Sequence, residues 1–183
     1  MTVIAAVVHE GTVHMGADSM VIGDRPVMQA HPKVLRLGPL LIGVSGAMRI
    51  LDLLEFGLDL PEPGRTERPD RYVRWTVGRA VRQLVQEGTH VDTRHGREDA
   101  AFEALIGFEG ALYLLGSDFA VTRVATPYEA IGSGQRAALG ALYATDTLAP
   151  VARLEVALAA AVQFDENCRP PFGFWELPLR DDP

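Results

Sequence analysis

Residues 2–19 of the chain read TVIAAVVHEGTVHMGADS. Val3 to Val8 is a near-continuous apolar run rich in β-branched side chains, as expected of a strand buried on both faces. Glu10-Gly11 turns the chain and Thr12 to Ala17 runs back, so the stretch predicts a β-hairpin. Antiparallel pairing then brings Asp18, at the end of the second strand, beside Thr2, at the start of the first. Downstream, Gly23 to Pro26 breaks the chain. Val34, Leu35 and Leu37 form a third strand, Gly38-Pro39 turns it, and Leu40 to Val44 return as a fourth, ended by Ser45-Gly46.

Helical spacing begins next. Ala47 to Phe56 reads as a helix with Met48, Ile50, Leu51 and Leu54 on its apolar face. Leu58 to Pro69 holds three prolines and reads as a loop. A second helix starts near Asp70, read as its N-cap, with Val73, Val77, Val81, Leu84 and Val85 at helical spacing and Gly88 just past its end. Arg71, Arg74, Arg79 and Arg82 decorate it, as a solvated face or as a surface for a partner or substrate. Thr89 to Asp99 is polar and reads as a mobile loop. Strands follow over Phe102 to Phe108, Ala111 to Leu115 and Phe119 to Val124. Ala130-Ile131 leads through Gly132-Ser133-Gly134 into a helix over Gln135 to Tyr143. Pro150 opens a helix through Phe164 and Phe172 to Leu177 is a last strand. Hairpin-joined strands alternating with paired helices imply an antiparallel α+β layer fold, not a doubly wound parallel sheet. No repeat, low-complexity tract or linker divides the chain, so 1–183 reads as a single domain, with 177–183 as a frayed tail.

Composition narrows the function. Of the residues, 48% are apolar and 22% charged, which excludes wholesale disorder. A formal charge of −7 argues against a nucleic-acid-wrapping protein. A single cysteine, Cys168, excludes an internal disulfide and most thiolate metal sites. No apolar stretch reaches the roughly 20 residues of a bilayer span, and the N-terminus lacks the basic lead-in of a signal peptide, so a cytoplasmic protein without membrane contact is expected. Lys33 is the one lysine among 17 basic residues.

The usual catalytic motifs are missing: there is no P-loop, HExxH, CxxC or GxSxG. Gly132-Ser133-Gly134 lacks the rest of a dinucleotide fingerprint and reads first as a turn. His9 and His14 flank a turn without a nearby ligand pattern, and no metal or organic cofactor is expected. His31, His90 and His95 fall in loops, and Cys168 has no activating neighbour in sequence. Thr2 is different. Removal of the initiator Met1 would leave a free threonine, with a hydroxyl nucleophile and an α-amine whose reference pKa is roughly 7.7–8.0. That is a nucleophile with its base built in. Lys33 begins the strand after Asp18, where an ammonium would ease formation of an alkoxide and a carboxylate would keep it charged. Ser45-Gly46, at a strand-to-helix junction, offers backbone N–H groups for an oxyanion. Each piece has a plainer reading: a turn former, a strand-edge lysine, a chain break.

Together these segments resemble a known family. Thr2-Val3-Ile4-Ala5, Gly16-Ala17-Asp18-Ser19, Lys33-Val34 with Leu37, Ile42-Gly43-Val44-Ser45-Gly46 and Ala130-Ile131-Gly132-Ser133-Gly134 are similar to the pattern of proteasome β-subunits, the bacterial peptidase HslV and their small bacterial and phage-type relatives. The resemblance spans almost the whole chain. It implies the four-layer αββα sandwich of N-terminal nucleophile (Ntn) hydrolases, two antiparallel sheets flanked by helix pairs. It implies a threonine-type peptidase acting on peptides or unfolded proteins, with Thr2 as nucleophile, Asp18 and Lys33 as its charge partners, Gly46 as oxyanion donor and Ser133 as hydrogen-bond partner of the Thr2 amine. It also implies a homo-oligomeric ring, in some members served by an ATP-dependent unfoldase, for which no docking motif is legible here. A small-amide hydrolase of the same superfamily and a non-catalytic assembly subunit are the alternatives. The chain departs from the pattern in four places, one of them the region from Pro61 to Pro69. Val3 replaces a second threonine, and the interval from Asp18 to Lys33 is one residue short. The family's Asp followed by Ser-Gly-Gly corresponds to Asp165-Glu166-Asn167-Cys168-Arg169-Pro170-Pro171, which makes Asp165 the candidate for the family aspartate.

Overall fold

The computed structural model describes residues 2–64, 66–88, 91–94 and 96–180. Thirteen strands are described: β1 (Ile4–His9), β2 (Thr12–Ala17), β3 (Met20–Ile22), β4 (Pro26–Met28), β5 (Val34–Leu37), β6 (Leu40–Gly46), β7 (Asp92–Arg94), β8 (Arg97–Asp99), β9 (Phe102–Phe108), β10 (Ala111–Leu115), β11 (Val121–Arg123), β12 (Tyr128–Ile131) and β13 (Gly173–Leu177). The helices are α1 (Arg49–Gly57), α2 over 69–88, α3 (Gln135–Ala144) and α4 (Pro150–Phe164). One sheet runs β12-β1-β2-β13 and a second β11-β10-β9-β6-β5. All their pairings are antiparallel. Glu10-Gly11 and Glu109-Gly110 close two-residue turns, with His9 opposite Thr12 and Phe108 opposite Ala111.

The continuous apolar run in β1 has a direct cause. Ile4 and Ala6 point toward the second sheet and pack with Val13, Met15, Val34, Leu41, Leu105 and Leu112. Val3, Ala5 and Val7 point the other way, onto Ala138, Leu142, Leu154, Ala157, Leu158 and Ala161 of α3 and α4. A third cluster lies on the other face of the second sheet, where Ile42, Val44, Phe102, Ala104 and Ile106 meet Ile50, Leu54, Val73, Val77, Val81 and Val85 of α1 and α2. Period-2 strands and 3.6-period helices thus bury complementary stripes.

Several expectations are corrected. Helix α1 begins at Arg49, not Ala47. The break at Gly23 to Pro26 is the tip of a small ribbon, β3–β4. Asp70 does not cap α2: the helix opens at Pro69, and the Asp70 carboxylate instead accepts hydrogen bonds from Tyr113 (2.9 Å) and Arg123 (3.2 Å). Residues Tyr72–Val77 are π-helical. Within the segment expected to be a mobile loop, β7 and β8 form a ribbon, tied to α2 by a bidentate Arg82–Glu98 pair at 2.7 Å. The expected strand from Phe119 shortens to Val121–Arg123, because Phe119 takes a positive φ of 63°. The tail expected to fray from 177 is held through 180: Leu177 is buried opposite Val13, and Arg180 pairs with Glu109 and lies over the Phe108 ring. Met1, His90, His95 and 181–183 lie outside the described residues. Among the described residues no helix is long and apolar enough to cross a membrane.

Candidate active site

Strand β1 is flanked by β2 and β12, so the residues just before it enter a slot between Asp18 and Gly132. Thr2 occupies that slot and is 2% exposed. The Val3 N–H donates to Asp18 Oδ1 at 3.0 Å, and the Asp18 N–H returns to Val3 O at 3.2 Å. Lys33 Nζ donates to the same Oδ1 at 2.7 Å, with both side chains fully buried. One carboxylate oxygen therefore joins the lysine ammonium to the peptide between Thr2 and Val3. The other oxygen accepts the N–H groups of Met20 (3.1 Å) and Arg169 (3.2 Å). Lys33 also donates to Met20 O. Burial pushes the Lys33 ammonium below its ordinary pKa, and the Asp18 charge and hydrogen bond oppose that fall.

The opposite wall is Gly132-Ser133-Gly134. Gly132 has φ +94°, and a Cβ there would lie 2.2 Å from Thr2 O, so only glycine fits. The Gly134 N–H donates to Thr2 O at 3.3 Å. Ser133 Oγ accepts the Thr2 N–H at 3.3 Å and lies 3.4 Å from Thr2 O. Asp165 lies behind Ser133. Burial works to raise its carboxyl pKa, but hydrogen bonds from Ser133, Asn167 and Cys168 outweigh it and hold the group below its usual value. Cys168 is completely buried, and its thiol is pushed up to about 12 by burial and by the Asp18 and Asp165 carboxylates.

Gly46 takes φ +115°, and a Cβ there would meet Ala101 O at 2.4 Å. The helix-terminus rationale for this residue does not hold, since α1 begins three residues later. The Val44 N–H donates to Lys33 O (3.0 Å) and the Ala47 N–H to Ala101 O (3.1 Å).

A buried ammonium, its carboxylate, a hydroxyl residue and a serine–aspartate pair thus converge on the chain start. Comparison with solved structures adds the architecture. The BPH protein of Thiobacillus denitrificans superposes with a TM-score of 0.79 at 20% identity, covering 99% of this chain and 100% of that one. Its complex with epoxomicin gives 0.78 at the same identity, covering 98% and 100%. HslV of Trypanosoma brucei gives 0.68 at 20% identity, covering 97% and 99%. The fold is proteasome-like. Anbu from Pseudomonas aeruginosa, solved as a helical assembly, shares it at a TM-score of 0.67 and 15% identity, covering 97% of this chain and 84% of that one. No protein-family model matches the sequence, and no curated protein matches it.

Within the proteasome-like fold, Thr2, Asp18, Lys33, Ser133 and Asp165 lie around the slot, whereas Gly46 sits at the end of β6 against Ala101 and Phe102. Four contributors are not foreseen. Glu103 accepts the Gly132 N–H at 2.9 Å from its place opposite Ser45; its only signal is a lone carboxylate inside the apolar strand Phe102–Phe108. Cys168 fills the space beside Gly134, where a Cβ would lie 3.1 Å from the sulfur. Met20 O and the Arg169 N–H act through the backbone, which side-chain reading does not reach. Of the other candidates, His14 contacts Glu176 at 3.2 Å and His31 is exposed. Among the described residues no group of three or more His, Cys, Asp or Glu side chains is placed to hold a metal ion.

Proposed function

We propose that this chain is an N-terminal threonine hydrolase, a peptidase of the Ntn type in which Met1 is removed and Thr2 is the nucleophile. The observation that carries the reading is the shared Asp18 Oδ1, bonded at once to the Lys33 ammonium and to the amide next to Thr2. The Thr2 amine takes the hydroxyl proton, and Oγ attacks a substrate amide carbon. The tetrahedral oxyanion is met by the Gly46 N–H, a type of contact worth about 3–4 kcal/mol. The amine returns the proton to the leaving nitrogen, the C–N bond breaks, and an ester on Thr2 remains. Water, deprotonated by the same amine, hydrolyses that ester. Lys33 stabilises the developing alkoxide, Asp18 holds Lys33 charged and in place, and Ser133 with Asp165 orients the amine.

The three apolar clusters and the helix–sheet packing support a single domain over 1–183 with four αββα layers. A homo-oligomeric ring in the cytoplasm, enclosing the sites, suits an unselective peptidase. Exposed Tyr143, Leu148, Val151, Val156 and Phe164 on and between α3 and α4 support such contacts.

Intact mass and epoxomicin, the ligand seen on the Thiobacillus denitrificans BPH, provide the test. The purified protein should lack one methionine and gain the mass of one inhibitor per chain, on Thr2. Thr2→Ala should abolish labelling and peptide hydrolysis while keeping the thermal unfolding transition. Retention of Met1, or hydrolysis by Thr2→Ala at the wild-type rate, would leave a non-catalytic assembly subunit or a different site.

A further inference from the structure

Helix α2 carries a charge pattern that the threonine chemistry does not use. An open groove of about 680 Å³ is lined by Arg68, Arg71, Arg74, Trp75, Phe119 and Val121. The three arginines are exposed, on a chain whose net charge is −7. Arg79 lies 5.2 Å from the Trp75 ring centroid, and Arg123 stands beside the groove. Among the described residues three carboxylates stand at or beside these five guanidinium groups: Glu67, 3.9 Å from Arg71, Asp70, 3.2 Å from Arg123, and Asp118, whose Oδ1 accepts the Ala120 N–H at the groove wall at 3.0 Å. The patch is therefore locally positive. Trp75 is 58% exposed, a large aromatic surface left in water at the centre of the π-helical stretch. Tryptophan and arginine are the residue types that anchor interfaces, and π-helical irregularities concentrate at functional sites.

We propose that this groove docks an acidic peptide segment of a partner protein. Its carboxylates pair with the guanidinium forks of Arg68, Arg71 and Arg74, which match carboxylate geometry bidentately. An apolar side chain of the same segment covers Trp75 and Val121. Asp70 selects a peptide over a phosphate polymer. A peptide backbone brings N–H donors that a carboxylate accepts, whereas a phosphate chain brings only further negative charge to it.

The test is fluorescence anisotropy of a labelled peptide of alternating Glu and Leu, titrated with the full-length protein at low salt. A Lys–Leu peptide and a single-stranded oligonucleotide of matched charge run beside it. The Glu–Leu peptide should bind saturably, and the Lys–Leu peptide should not. Raising salt to about 0.5 M should weaken binding, since exposed charges are then screened. Arg71→Glu with Arg74→Glu should weaken it on the order of tenfold. Arg71→Lys with Arg74→Lys should keep part of the affinity, because charge remains and the fork is lost. Absence of saturable binding, equal binding by the charge-reversed protein, or tighter binding of the oligonucleotide would overturn the proposal. The assay reads binding alone, so it stands or falls apart from hydrolysis at Thr2.

Discussion

Cys168 shows how one buried side chain reports on the whole slot. Its thiol is neutral at ordinary pH because burial and two nearby carboxylates push its pKa from about 9 to about 12. The folded chain therefore keeps a proton that the unfolded chain gives up above pH 9. Folding stability must fall as pH rises through the window from about 9 to about 12, by at most about 1.4 kcal/mol per pH unit from this group. Cys168→Ser removes the titration while nearly keeping the shape. Denaturant melts at pH 8, 9 and 10 should show a shallower alkaline loss for the serine variant than for the wild type; parallel losses would contradict the assignment. The same residue marks a limit of sequence reading. Asp18 and Lys33 are legible because hairpin register carries one of them to Thr2 and the solitary lysine stands out. Cys168 is not, because its burial depends on the turn after α4 folding back against Gly134, a contact with no local pattern.

At the scale of elements, the turn between β12 and α3 positions the chain start. Gly132 has a positive φ, and its Cα hydrogen faces Thr2 O where a Cβ would come within 2.2 Å. Gly132→Ala adds both a strained backbone, about 1–3 kcal/mol, and a steric clash that must displace Thr2. The expected result is a lowered melting temperature together with loss of epoxomicin labelling at Thr2. A variant that melts lower yet labels at the wild-type rate would show that the turn supports the fold without placing the proposed nucleophile. The strands and helices themselves are largely legible, since β1, β2, β9, β10, α3 and α4 follow clear apolar periods. Boundaries fail where tertiary contacts override local signals. Asp70 looks like a helix cap but is drawn to Tyr113 and Arg123, and Ala47, expected in the helix, instead donates its N–H to Ala101 O just past the end of β6.

At the scale of the molecule, both helix pairs leave apolar groups in solvent. On the first pair these are Phe56 and Trp75, the latter among arginines, whereas α3, α4 and the turn between them expose five: Tyr143 is 75% exposed and Phe164 81%, with Leu148, Val151 and Val156 near or above 40%. Single exposed apolar residues are ordinary, but five on one helix pair and its turn leave apolar area that gains by being covered. Covering it with the same surface of another copy needs no second protein and suits the proposed ring. This face is hidden in the sequence because the same helices also supply Ala138, Leu142, Leu154 and Leu158 to the interior, so their apolar positions read simply as core. Tyr143→Glu with Phe164→Glu adds charge at two of the most exposed positions and touches none of those buried residues. Light scattering on a sizing column should find the wild type in an assembly at micromolar concentration. The double variant should run near the 19.9 kDa of one chain, with its circular dichroism unchanged. A wild type that elutes as a single chain, or a double variant that assembles as well as the wild type, would remove this face from the assembly. If the variant disperses but Thr2 still labels with epoxomicin, each subunit builds its own site; if labelling is lost as well, the slot depends on a neighbouring copy.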